Sequence, residues 1–138
     1  MPEIERGRTF IDFESVSFNK KKPKFFITMN DADYDDDILV CFVMNSEKQR
    51  EERNLSYNCN RLKGKFVIQE GVFSFITHDT SIMLKTPNYL KLEYIIGGNT
   101  KLYEIAPELI QRQIKNCLDF GYIQPQYAEL IKKSFKRK

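Results

Sequence analysis

The chain has 138 residues, 41% hydrophobic and 30% charged, with a formal net charge of +3. That is about one domain's length and the balance of an ordinary globular protein with a single core. No apolar run approaches the ~20 residues a membrane span needs, and the opening MPEIERGRTF has no signal-peptide core, so the expectation is a cytoplasmic protein without a membrane partner.

Residues 4–18, IERGRTFIDFESVSF, hold short apolar alternations that predict one or two ragged strands. NKKKPK, residues 19–24, reads as a loop, with Pro23 at the entrance of the next strand because proline cannot donate to a ladder. Phe25–Met29 and Ile38–Met44 are short, near-continuous apolar runs and predict two buried strands. EKQREERN, residues 47–54, has almost no apolar face and reads as a solvated loop or a short exposed helix. Lys63-Gly64-Lys65 and Glu70-Gly71 are turn signals on either side of the strand FVIQ. Alternation in VFSFITHDTSIML and again in YLKLEYII, residues 89–96, predicts further strands up to Gly97-Gly98.

After Gly98 the period changes. Leu109, Ile110, Ile114, Cys117 and Leu118 follow helical spacing over about 107–119, with Pro107 at the start and Gly121 beyond the end. Pro125 opens a second helix over about 125–135, striped by Tyr127, Leu130, Ile131 and Phe135. Eleven Phe and seven Tyr without Trp also lean toward strands. The expected class is α+β: one domain over 1–138, a small SH3-like twisted barrel at about 5–98 with a helical part at about 104–135 packed on it and a basic tail at 132–138.

Cys41, Cys59 and Cys117 are an odd number in separate elements, which fits small buried hydrophobes in a reducing compartment better than a disulfide framework. With His78 they would make four zinc ligands, but structural zinc sites use paired ligands at short spacing, and no CxxC or HxxxH occurs. The acidic stretch 31–37 is the other metal candidate. An EF-hand loop starting at Asp31 needs Gly at its sixth position and Glu at its twelfth, where Asp36 and Phe42 stand. A solvated turn before the strand is the expectation, with no metal and no cofactor; the alternative is an Asp pair that holds magnesium with water and a substrate phosphate.

Three places carry polar groups suited to chemistry. Asn45-Ser46 closes the second buried strand, where a rigidly held hydroxyl reaches solvent, or simply terminates the strand. Lys20, Lys21, Lys22 and Lys24 stand beside Phe25, a pairing that suits a nucleic-acid backbone and its bases, or a plain lysine-rich surface. His78, the only histidine, sits in the polar island Thr77-His78-Asp79-Thr80-Ser81 and either moves protons or serves structure.

KKPKFFITMN, DDILVCFVMNSEK and GVFSFITHDTSIML, followed by the EIAPELIQRQIKNCL helix, resemble in their order the elements of the PemK/MazF-type toxin endoribonucleases over about residues 5–120. That resemblance implies a small SH3-like barrel, a homodimer with a cognate antitoxin protein, and metal-independent cleavage of single-stranded RNA by attack of the 2′-OH on the adjacent phosphate. Family members use an arginine before the proline and a hydroxyl residue at the strand end. Here those places fall to Lys22 and Ser46, with His78 added for proton transfer. Lysine supplies charge without arginine's bidentate fork. The implied RNA-binding residues are Lys20, Lys21, Lys24, Phe25, Asn45, Tyr57, Thr80 and Ser81. The alternative is a non-catalytic barrel that binds a peptide or nucleic acid through the same groove.

Overall fold

The structure, a computed structural model, describes residues 4–17, 20–32 and 37–136. It is an α+β protein built on an antiparallel sheet of eight strands: β1 (Arg8–Ser17), β2 (Lys20–Thr28), β3 (Ile38–Ser46), β4 (Asn58–Asn60), β5 (Lys65–Ile68), β6 (Thr80–Met83), β7 (Asn88–Lys91) and β8 (Thr100–Ile105). Three helices complete it: α1 (Leu92–Gly97), α2 (Glu108–Cys117) and α3 (Pro125–Lys136). The strand order is β4-β5-β6-β3-β2-β1-β8, and β7 also pairs with β3.

The central strand β3 explains the layout. One edge pairs with β2, from Phe25↔Met44 to Thr28↔Cys41. Its other edge is shared end to end, by β7 against Ile38–Cys41 and by β6 against Met44–Ser46. Because successive side chains on a strand face opposite ways, Val40, Phe42 and Met44 enter one core, which includes Ile114 of α2 and Ile131 of α3. Leu39 and Cys41 enter a second core with Phe10, Phe26 and Ile95 of α1. Burial on both faces is why ILVCFVM reads as an unbroken apolar run.

Pro23 is not an entrance residue, and 20–24 is not a loop. β2 begins at Lys20 and Pro23 lies inside it. The register between β1 and β2 slips between Asp12 and Ser15, so that the neighbours Lys22 and Lys24 face Ser15 and Asp12. Pro23 therefore opposes a bulge, one of the places where a strand tolerates a missing N–H.

Other expectations need correction. Residues 72–79 form a loop, and β6 starts only at Thr80. In that loop Phe73 is buried and Val72 exposed, so the apparent alternation marks one anchored ring. YLKLEYII divides into β7 and α1, and β8 follows Gly98 as an unanticipated strand. Ile38 and Phe75 are half-buried, whereas Phe26, Val40, Phe42, Val67 and Ile82 are buried. Pro107 caps α2 and Pro125 opens α3, as the helical spacing predicts.

The cysteines also differ from expectation. Cys59 of β4 is bonded to Cys117 of α2, and Cys59 is exposed. Cys41 is free and fully buried, and burial alone pushes its thiol far above the ordinary range, so it stays protonated. Among the described residues no helix is long and apolar enough to cross a membrane. Of the acidic stretch 31–37, residues 33–36 lie outside the described residues, as does the tail end 137–138. Lys132, Lys133 and Lys136 belong to α3, so the basic tail is largely helix.

Candidate functional site

The hydrogen-bonded register brings the end of β3 beside the start of β6, with Ser46 opposite Thr80. His78 lies just before Thr80, and the loop carrying it folds back over β2. Phe25, Ser46, Phe75, Thr77, His78 and Thr80 thus share one small cavity of about 130 Å³. The Thr80 hydroxyl donates to the His78 carbonyl at 2.8 Å, fixing the backbone of the polar island. Among the described residues no side chain orients the His78 imidazole or holds the Ser46 hydroxyl.

The wall of the cavity is aromatic. Phe25 stacks on Phe75 with ring centroids 4.2 Å apart, and Tyr103 of β8 meets both rings. The same loop is tied to β8 by the amide and hydroxyl of Ser74, which donate to Glu104 at 2.7 and 2.6 Å. Phe25 therefore has one face committed within the protein. Tyr57 likewise carries the Arg50 guanidinium 4.1 Å above its ring.

Asp79 does not partner His78. Its Oδ2 accepts from Arg50 Nε at 3.1 Å and from the Tyr57 hydroxyl at 3.0 Å, while Oδ1 accepts from the Glu70 amide at 3.0 Å. Burial pushes this carboxyl up, but the Glu70, Tyr57 and Arg50 donors outweigh it and hold the pKa below its ordinary value. The Asp79 hydrogen bond raises the Tyr57 phenol, with burial adding to it.

The residue that sequence reasoning missed is Glu47, placed in the solvated segment 47–54 but only 3% exposed. Oε2 accepts from Lys65 Nζ and from the Ser81 hydroxyl, each at 2.8 Å, and Oε1 accepts from Arg53 at 2.7 Å. Its amide donates to the Asp79 carbonyl at 2.7 Å. Burial opposes ionisation, yet the bonds from Lys65 and Ser81 and the charges of Lys65 and Arg53 leave the pKa lowered. Ser81 is therefore a buried partner of Glu47. The signal for Glu47 was its position, directly after a doubly buried strand and before two arginines, but no periodicity singles it out.

The lysines lie elsewhere. Lys24 Nζ donates to Asn45 Oδ1 at 2.9 Å, and both line a cavity of about 270 Å³ with Ser15, Phe26 and Val43. Phe26 belongs to the second core and Val43 packs against it, whereas Met44 belongs to the first. The Lys24–Asn45 cavity is thus on the sheet face opposite Ser46. Lys22 is the cross-strand partner of Ser15 and so shares that face. Lys20 and Lys21 are exposed farther along the β1–β2 ribbon, and Lys21 pairs with Glu14 at 2.9 Å. The structure brings Ser46, His78, Thr80 and Phe25 together and does not bring Lys22 to them.

Among the described residues no group of His, Cys, Asp and Glu is placed to hold a metal ion. No family model matches the chain, and no curated protein or solved structure matches it.

Proposed function

We propose that this protein binds single-stranded RNA and cleaves it without metal in the cavity between Ser46 and His78, on a sheet that curls toward an SH3-like barrel. The observation that carries this reading is the convergence of Ser46, Thr77, His78 and Thr80, from two separate segments, on one cavity walled by aromatic rings. In that role the His78 imidazole takes the proton of the RNA 2′-OH, and the O2′ then bonds to the adjacent phosphorus. The bond from phosphorus to O5′ breaks as O5′ takes a proton from water, leaving a 2′,3′-cyclic phosphate and a 5′-hydroxyl. The Ser46 hydroxyl donates to the phosphoryl oxygen as charge builds there. Lys22 has no place in this set, because it lies on the other face. The homodimer and an antitoxin partner rest on the family resemblance alone.

A second reading, a module that binds without cleaving, is favoured by a different observation: Asp79 is committed to Arg50, Tyr57 and Glu70, so among the described residues no carboxylate orients His78. Incubation with mixed-sequence single-stranded RNA in EDTA separates the two. Under the first reading cyclic-phosphate ends accumulate, and His78→Ala slows their formation about 10²-fold, the usual scale for a lost acid–base group. Saturable RNA binding with no new ends selects the second reading, and neither binding nor cleavage rejects both.

A further inference from the structure

We propose that the cavity on the opposite sheet face, around Lys24 and Asn45, is a binding site for the phosphate of a mononucleotide. Lys24 carries an ammonium group without a counter-ion among the described residues. It is half-buried, and its only bonded partner there is the neutral Asn45 oxygen, at 2.9 Å. The register sets a carboxylate directly opposite, Asp12 on β1, and side chains of such pairs share a face. Yet Asp12 is occupied. Its Oδ2 accepts from the Tyr94 hydroxyl and its Oδ1 from the Glu14 amide, both at 2.9 Å. Burial, with Asp12 adding to it, pushes the Tyr94 phenol up to about 12, so Tyr94 remains a donor and Asp12 stays engaged.

With its cross-strand carboxylate diverted, Lys24 keeps N–H donors for a ligand after bonding Asn45. Ser15 and Thr86 bring hydroxyls to the same cavity, and Lys22, opposite Ser15, adds a second cation on that face. Lysine binds phosphate as a point charge, and hydroxyls complete the hydrogen bonding around its oxygens. Phe26, Val43 and Pro87 supply an apolar part of the wall, and Asn88 completes it. At about 270 Å³ the space is just under the ~300 Å³ lower bound of ordinary small-molecule sites, which suits one nucleotide and not a longer strand segment. The site is separate from the Ser46–His78 cavity and does not depend on RNA cleavage.

The test is titration of the full chain with adenosine monophosphate, adenosine and inorganic phosphate, followed by backbone amide shifts and by melting temperature. Adenosine monophosphate should bind saturably and more tightly than adenosine, with the largest shifts at Ser15, Lys24, Asn45 and Thr86. Lys24→Met should weaken binding about tenfold or more, the scale of one charge-assisted hydrogen bond. Lys132→Met, a charge loss on α3, should not. Asn45→Asp is the second variant: it supplies Lys24 with an internal carboxylate and repels phosphate, so binding should again fall by about tenfold or more. Adenosine binding as tightly as its monophosphate, absence of saturable binding, or unchanged affinity in folded Lys24→Met or Asn45→Asp would overturn the proposal.

Discussion

Glu47→Ala should cost about 3 to 5 kcal/mol of folding stability, the range for breaking a buried ion pair by removing one partner. The carboxylate side chain is 2% exposed and Lys65 only 18%, so removal strands an ammonium in a largely dry pocket and leaves the buried Ser81 hydroxyl without its acceptor. Arg53 is half exposed and contributes little by comparison. Glu47→Gln should fall between, since an amide oxygen still accepts from one donor. Urea melts of the three proteins measure the effect, and a loss below about 1 kcal/mol for the alanine variant would contradict a buried network here. The pH dependence follows from the lowered pKa. A depressed carboxyl contributes stability that is fully present above its unfolded value and is lost as pH falls through the folded one. The wild-type stability should therefore decline below the ordinary carboxylate value of 4.5, and Glu47→Gln should flatten that limb. An acid limb identical in both proteins would assign the loss to other groups.

Opening the Cys59–Cys117 bond is the other large expected effect. The crosslink spans a sequence separation of 58 residues, and closing a loop of that length removes about 4 kcal/mol of unfolded-chain entropy on the chain-entropy account. For a domain of this size the melting temperature should fall by roughly 10 to 15 °C in a reductant. Cys59→Ser should reproduce the fall, and reductant should then have no further effect, because Cys41 is buried and protonated. Equal melting temperatures with and without reductant would mean that the bond contributes nothing. The bond joins the edge strand β4 to α2, and β4 otherwise pairs only with β5 over three residue pairs. Loss of order on reduction should therefore begin at 58–60, where amide exchange would detect it, and pass to Tyr57, which holds Asp79 beside His78.

Parts of the fold were legible in the chain because they rest on local physics. ILVCFVM reads as a buried strand and forms β3, Gly64 and Gly71 sit at positive φ in the two turns their neighbours announce, and Pro125 begins its helix. The misreadings share a cause: a short apolar alternation fits more than one element. VFSF looks like a strand but serves as a loop anchored by Phe73, and LEYII looks like a strand but forms α1, its Ile95 buried in the second core. β8 escaped notice because TKLYEI carries few buried side chains and is held by pairing with β1.

For the site, the groups on hand were legible in the chain: one histidine, hydroxyls at the end of β3 and around His78, and lysines around a proline. Local spacing dictates these because residue type and strand ends are properties of short segments. Which of them meet depends on strand pairing and on the face each side chain takes. The alternation of a strand puts Asn45 and Ser46 on opposite faces, so one cavity receives Ser46 with His78 and the other receives Asn45 with Lys24. Alternation along β2 puts Lys22 on the face of Lys24 and Phe26, where the register sets it against Ser15, away from the hydroxyl it was expected to join. Glu47 became a buried anion only because Lys65, Arg53 and Ser81 converge on it from distant segments. Desolvation and pairing of charge depend on neighbours brought together by long-range strand pairing, which no short window of sequence contains.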